Sequence, residues 1–271
     1  MKIFKDKHIL QKEISKTKGI SFVPTMGGLH KGHISLIKQS KKSKFKTLVS
    51  IFVNPKQFNK KSDYSSYPRS IKKDLKKLKN LKVDYLYIPT FKDIYGFKPR
   101  EKVFLDKFSK KLCGRFRRGH FEGVLNVVNR FLEIIKPRYI YLGKKDYQQL
   151  YLIKKHIEKR KIKSKIIECK TIRENNGVAL STRNSNLNEN QMMIASKIYY
   201  YLYYLKKRIK KNYNLFNPNR IKKDLRNLGA RKIDYLENYN IENFKKIKRL
   251  NKKFNIFIAY YIKNVRLIDN I

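Results

Sequence analysis

The chain has 271 residues, with 67 Lys or Arg against 20 Asp or Glu, giving a formal charge of +47 and a pI near 10.2. A hydrophobic content of 41% with 16 Phe and 19 Tyr supplies a core for one large or two ordinary domains and argues against wholesale disorder. No run approaches the roughly 18 apolar residues of a membrane span, residues 1–18 lack the unbroken apolar stretch of a signal peptide, and Cys113 and Cys169 form no C-x-x-C pattern.

In chain order, short β-branched or aromatic runs alternate with longer amphipathic ones, the pattern of a parallel sheet flanked by helices. The predicted strands are residues 20–25, 46–53, 83–89, 138–143 and 162–169. A helix over 34–41 follows the first strand. Ile71, Leu75 and Leu78 give the apolar stripe of a second helix. Val124, Val127, Val128, Phe131, Leu132 and Ile135 give that of a third, which stops at Lys136-Pro137 because proline disfavours a helical residue before it. From about residue 172 the pattern changes to a polar, Asn-rich stretch over 173–190, a long helix over 191–211, a shorter one over 219–228, and strands over 232–239 and 254–262. The expected fold class is α/β over residues 1–172, followed by a smaller α+β domain over 173–271. The two are expected to share a cleft near the sheet's carboxyl edge, where open α/β sheets bind ligands.

The segment Phe22-Val23-Pro24-Thr25-Met26-Gly27-Gly28-Leu29-His30-Lys31-Gly32-His33 runs from a strand through paired glycines into a helix. Such a turn suits a phosphate: glycines let the backbone approach the anion, and free N–H groups with the helix dipole face it. His33 and Ile34 stand where a Walker P-loop requires Lys and Ser or Thr, so the arrangement is H-x-G-H instead. Two imidazoles three residues apart can donate hydrogen bonds to a triphosphate and its transition state. No third ligand is recognisable for zinc.

These residues resemble the pantothenate synthetase family, of the nucleotidylyltransferase superfamily. Further stretches agree in order and spacing: Ser50 with Asn54-Pro55-Lys56-Gln57-Phe58, Tyr67-Pro68-Arg69, Gly119-His120-Phe121-Glu122-Gly123, Gly143-Lys144-Lys145-Asp146-Tyr147-Gln148-Gln149, and Arg173-Glu174 with Leu180-Ser181-Thr182-Arg183-Asn184. The resemblance implies a Rossmann-like nucleotide-binding and catalytic domain with a C-terminal lid. It also implies ATP-dependent joining of pantoate and β-alanine through a pantoyl-adenylate. Met26, Gly27, Gly28, Leu29, His30, Lys31, Gly32 and His33 are then expected at ATP. So are Gly143, Lys144, Lys145 and Asp146, together with Ile172, Leu180, Ser181, Thr182 and Arg183, the last three in a mobile loop that clamps the triphosphate. Gln57 and Gln149 match the residues that bind pantoate, with β-alanine near Gln57. His33 stands as the family's proton donor, although both His30 and His33 read more naturally as hydrogen-bond donors. Lys145 and Arg183 are the cations expected to offset repulsion between carboxylate and phosphates, with Mg²⁺ on the phosphates and its protein ligands unknown. Asp146 either orients the adenylate or assists the metal. A homodimer is implied, with the aromatic strand around Phe52 and Phe58 offered as interface.

Departures from the family pattern are Lys144 for an acid, Leu180 and Thr182 in place of Met and Ser, Gly28 for alanine and Arg118 for proline; none removes a reacting group. The lysines lie along nearly the whole chain, and the enrichment in Lys, Asn, Ile and Tyr reads as drift towards AT-rich codons. Non-specific polyanion binding would be a by-product. Two other readings compete: a different H-x-G-H nucleotidylyltransferase, and an RNA-binding protein on an inactive synthetase scaffold. A soluble cytoplasmic location without a membrane partner, and two buried thiols, are expected.

Overall fold

Strands β1 (Lys2–Phe4), β2 (Ile20–Thr25), β3 (Lys46–Ile51), β4 (Tyr85–Tyr87), β5 (Tyr139–Gly143) and β6 (Lys165–Cys169) form one parallel sheet in the order β1-β4-β3-β2-β5-β6. The coordinates are a computed structural model that describes residues 1–59, 61–65, 67–247 and 253–271. β2 and β3 are buried along almost their whole length, as a sheet covered on both faces requires. Their side chains alternate between two cores. Phe22 meets Phe131 at 5.4 Å between ring centroids, joined by Phe52 and Tyr87, while Val23, Leu29, Ile37, Val49 and Leu78 pack together in another cluster. Phe52 is therefore a core residue of this unit.

The covering helices are α1 (Lys7–Ile14), α2 (Lys31–Ser40), α3 (Lys61–Ser65), α4 (Ile71–Asn80), α5 (Phe91–Tyr95), α6 (Leu112–Phe116), α7 (His120–Ile135) and α8 (Tyr147–Lys159). The predicted stripe of α7 is buried throughout, and the helix ends at Lys136 with φ 47° before Pro137. The stripe of α4 differs from expectation. Leu78 is fully buried, but Ile71 is 42% exposed and the other buried position is Asp74. β4 and β6 start two to three residues later than predicted, because Lys82 and Lys161 adopt positive φ and close the preceding helices through the Val83 and Ile162 amides.

This sheet belongs to one of two compact units, Met1–Thr171; the other is Ile172–Ile271. The second unit contains α9 (Glu189–Ile209), α10 (Pro218–Asn227) and an antiparallel sheet of β7 (Lys232–Asn240), β8 (Phe254–Ile262) and β9 (Val265–Asn270) in that order. α9 begins earlier than predicted because Asn188 and Gln191 form a capping box. Ala195, Ile198, Leu202 and Ile209 of α9 pack with Ile256 and Ile258 of β8. Cys113 and Cys169 are both buried. Among the described residues, no helix is long and apolar enough to cross a membrane.

Candidate active site

Strand order reverses at β2, with β3 and β4 on one side and β5 and β6 on the other. Open parallel sheets bind ligands at the carboxyl ends beside such a reversal. Three adjacent strands deliver motif residues there: β2 leads into residues 26–33, β3 into Asn54 and Gln57, and β5 into Lys144, Lys145 and Asp146.

After β2, Gly27 and Gly28 take φ of 80° and 61°, left-handed values that other residues adopt only with strain. The turn is held from both ends. Thr25 Oγ1 accepts from the Gly27 amide at 3.2 Å and donates to the Ser50 carbonyl at 2.7 Å. Asp74 of α4, only 2% exposed, accepts from the Gly28 and Leu29 amides at 2.8 Å each. Lys77, one helical turn on, donates to the Leu29 carbonyl.

The histidines cap α2 in an unusual way. His30 is the N-cap, and its Nδ1 accepts from the Gly32 amide at 3.1 Å; Nδ1 of His33, three residues on, accepts from the His30 amide at 3.4 Å. The pair reproduces a capping box with imidazoles, and it explains why the helix starts at Lys31 and not at the predicted residue 34. An imidazole whose Nδ1 accepts carries its proton on Nε2. The rings lie 4.1 Å apart. Burial is the main reason that the pKa of His33 falls to about 3 and that of His30 to about 4, and Lys145 and Lys77 lower both further. Both rings are neutral at pH 7 and present Nε2–H donors. This corrects the expectation of free backbone amides around an anion: those of Gly27, Gly28, Leu29, His30 and Gly32 all have protein acceptors.

The turn after β3 is braced as firmly. Asn54, 1% exposed, caps the short helix Pro55–Gln57, and its side-chain amide donates to Gln57 Oε1 at 3.3 Å and to the Gly123 carbonyl at 3.1 Å. Its oxygen accepts from the Tyr95 hydroxyl at 2.9 Å. Gln57 is buried, with Nε2 directed at the Met26 sulfur, and its carbonyl is 2.8 Å from Nδ1 of His120. A Cβ on Gly123 would lie 2.2 Å from the Lys56 carbonyl oxygen, so glycine lets α7 sit directly on this turn. The stretch His120-Phe121-x-Gly123 thus buttresses Gln57.

After β5, Lys145 is half-buried with Nζ 3.4 Å from the exposed Asp146 carboxylate. Lys144 finds Glu168 at 3.3 Å, so the departure from the family acid makes an ion pair instead of leaving a bare charge. The two glutamines divide. Gln148 is buried and bonds the Cys113 amide and the Phe108 and Lys111 carbonyls, whereas Gln149 is half-buried and, among the described residues, has no protein hydrogen-bond partner. No group of three or more His, Cys, Asp or Glu that could hold a metal ion occurs among the described residues.

Ile172, Leu180, Ser181, Thr182 and Arg183 belong to the second unit. There the Leu180 amide bonds the Ile172 carbonyl at 3.0 Å, closing a turn whose Arg173 grips Asp269 with two hydrogen bonds of 2.7 and 2.9 Å. Ser181 Oγ accepts from the Arg183 amide at 3.3 Å and caps the short helix Thr182–Asn186. Sequence reasoning does not single out Asn54, Asp74 or Lys77. Asn54 sits inside a recognised motif, but Asp74 and Lys77 are embedded in a Lys-rich helix that resembles any solvated face.

A family model described as pantoate-β-alanine ligase matches residues 2–271. A pantothenate synthetase of Flavobacterium psychrophilum is 39% identical over 274 residues, covering 98% of this chain and 95% of that protein. One of Francisella tularensis subsp. novicida is 42% identical over 272 residues, covering 98% and 94%. Among solved structures, pantoate-β-alanine ligase from Francisella tularensis, complexed with β-γ ATP and β-alanine, superposes with a TM-score of 0.83 at 39% identity and coverage of 100% and 97%. Pantothenate synthetase from Thermus thermophilus gives a TM-score of 0.91 at 29% identity and coverage of 100% and 99%.

Proposed function

The chain belongs to the pantoate-β-alanine ligase family, and from that membership we infer that it condenses (R)-pantoate with β-alanine, at the expense of ATP, through a pantoyl-adenylate. The observation that carries the reading at the level of residues is the convergence, at the carboxyl ends of three adjacent strands, of two neutral imidazoles, Lys145 and Gln57.

A carboxylate is a poor electrophile because its leaving group would be oxide. In the first step a carboxylate oxygen of pantoate bonds to the α-phosphorus of ATP as the bond to the diphosphate oxygen breaks. In the second, the neutral amine of β-alanine attacks the acyl carbon, AMP leaves with the C–O electrons, and the ammonium proton passes to a phosphate oxygen or water. Neither step requires an imidazolium. We assign His30 and His33 as Nε2–H donors to phosphate oxygens, which a pKa of about 4 and about 3 favours over proton donation. Lys145 and Arg183 offset the repulsion between two anions, and removing one such group raises the barrier by roughly 3–4 kcal/mol. Gln57 and Gln149 hold pantoate, since a side-chain amide offers both donors and acceptors to hydroxyls and a carboxylate. The remaining residues of 26–33 and 143–146, with Ile172, Leu180, Ser181 and Thr182, are assigned to ATP on the strength of the family motifs. The donor set fits Mg²⁺ carried mainly by phosphates and water, because among the described residues no group of three or more His, Cys, Asp or Glu could hold the ion, while Asp146 carries a carboxylate whose charge acts on both imidazoles. When bound, the ion neutralises phosphate charge.

ATP–pyrophosphate exchange with and without pantoate isolates the first step. Pantoate-dependent exchange, reduced about 100- to 1,000-fold in His33→Ala, is the expected result. Folded protein that shows no exchange with Mg²⁺ present would overturn the reading and leave polyanion binding to explain the charge.

Family resemblance also supports a cytoplasmic homodimer, which a mass measurement showing monomer across micromolar concentrations would reject. The formal charge of +47 supports weak, non-specific polyanion binding, expected to fall steeply with salt.

A further inference from the structure

Helix α4 brings two side chains, one turn apart, onto the turn that carries the histidines. Asp74 and Lys77 grip opposite polarities of the same peptide segment: the carboxylate takes the Gly28 and Leu29 amides, and the ammonium donates to the Leu29 carbonyl. We propose that α4 is a further wall of the nucleotide site, with Lys77 a binding residue for the ATP phosphates and Asp74 the positioning residue that fixes the turn beneath His30 and His33. The proposal rests on the adenylation reading above.

Asp74 accounts for the first half. Its carboxylate is 2% exposed, and each oxygen accepts one amide at 2.8 Å. A buried carboxylate with matched donors is costly to pull apart, so these amides stay engaged and phosphate charge must be met by side chains. The approach is close enough that a Cβ on Gly27 would lie 3.1 Å from Asp74 Oδ2. Glycine, acid and turn therefore form one fitted unit, and displacing the acid moves the peptide on which His30 caps α2.

Lys77 accounts for the second. An ammonium has three N–H donors, and one of them goes to Leu29. Among the described residues no carboxylate pairs with Lys77. Lys72, Lys73, Lys76 and Lys79 on the same helix are exposed, whereas Lys77 is half-buried. Its charge acts on both imidazoles, as does that of Lys145, so the two cations and the two Nε2–H donors share one region of positive potential. A half-buried cation without a counter-ion beside neutral donors is complementary to a polyanion, and a nucleoside triphosphate supplies one.

Kinetics on the full chain test this. Lys77→Met should raise the KM for ATP in pantoate-dependent exchange about 10- to 100-fold, the range of one charge-assisted hydrogen bond, and Lys77→Arg should recover most of it. Asp74→Asn, whose amide can accept only one of the two N–H groups, should instead lower kcat about tenfold with a smaller change in the KM for ATP. A folded Lys77→Met with the ATP KM of the wild type would overturn the role of Lys77, and an Asp74→Asn with unchanged kcat that of Asp74. Should either variant fold poorly, the wild type titrated with a non-hydrolysable ATP analogue decides by NMR. The Lys77 ammonium nitrogen should shift while the Gly28 and Leu29 amides keep their shifts and exchange protection. Amides that move strongly, or a silent Lys77, would refute the proposal. Wild-type protein whose Lys77 responds to the analogue but which shows no exchange would sink the adenylation reading and leave Lys77 as a phosphate ligand.

Discussion

In the parallel-sheet unit, buried polar side chains serve the loops: Asp74 and Thr25 hold the glycine turn, Asn54 and His120 hold the turn of Gln57, and Gln148 holds the start of α6. In the second unit they serve the sheet. Arg266 pairs with Asp234 between β9 and β7, Arg173 ties a turn to Asp269 of β9, and Asn255 donates to Asn270 between β8 and β9. The difference teaches that burying polarity has two uses. One fixes backbone that must present other groups; the other joins elements already packed. Perturbing the first should alter chemistry at modest loss of stability, and perturbing the second should do the reverse.

Mild acid, between pH 6.5 and 4, gives the largest expected effect, and its histidine contribution falls on the first unit, where all five histidines lie. His30 and His156 fall to about 4 and His33 to about 3 from an ordinary 6.5, burial being the main cause each time. The folded state binds fewer protons than the unfolded between these limits, so stability is full above pH 6.5 and is lost as pH drops towards 4. The fully buried His156, bonded to the Phe104 amide and near Asn129, contributes about 3 kcal/mol of this at roughly 1.4 kcal/mol per pKa unit; half-buried His30 contributes less. Histidine ring-proton titration of the folded chain checks it. A His33 that titrates near 6.5 would break the account of both stability and the neutral donors.

Next comes Arg266→Met in the second unit. Among the described residues it leaves Asp234, whose side chain is 2% exposed, with Lys232 at 3.7 Å as its remaining ion-pair partner, and should cost about 3 kcal/mol in thermal or denaturant unfolding. Exchange per folded molecule at 25 °C should stay near the wild-type rate. A lower specific rate would mean that the second sheet does more than hold itself together.

Gly123→Ala is the converse experiment. The new methyl meets the Lys56 carbonyl and the Gln57 backbone, so the turn must shift, at an expected loss of about 2 kcal/mol. The telling result is a rise in the KM for pantoate larger than any change in the KM for ATP. Gly143→Ala, where nothing lies within 4 Å of the new methyl, should leave unfolding unchanged.

Legibility in the sequence follows the same division. The turn after β2 can be read because its constraint is local: two glycines at positive φ and two histidines three residues apart announce themselves within eight residues. The partner of that turn cannot. Asp74 is 46 positions from Gly28, in a helix whose other charges are solvated, and only the fold brings it in. The same buried acid explains why the apolar stripe of α4 departs from its periodicity, Ile71 being exposed where Asp74 is buried. Strand β1, three residues long at the sheet edge, and β9, joined to β8 across a tight turn with Lys263 at φ 48°, are too short or too mixed in pattern to stand out. Long buried segments such as β2, α7 and β8 fall where periodicity puts them, because burial on a fixed face leaves one register.

A small effect is also expected at Lys144, where the family resemblance leads one to expect an acid. Nζ lies 3.3 Å from Glu168, which Lys154 also approaches at 3.7 Å, and the side chains of Lys144 and Glu168 are 41% and 32% exposed. An exposed pair of this kind is worth about 0–1 kcal/mol and is screened by salt. Lys144→Ala should therefore change unfolding by less than about 1 kcal/mol, and less still at high salt. Its ammonium is already engaged by Glu168, so any part the residue plays at the nucleotide runs through its backbone, and exchange should be near wild-type. Lys144→Glu sharpens the point, since the acid usual in the family would here face Glu168 across the same gap. If that substitution lowers stability slightly and leaves the ATP KM alone, the ion pair is a local adjustment of surface charge. If it instead raises exchange, the family acid orients Lys145, and this chain has given up part of that orientation for the pair with Glu168.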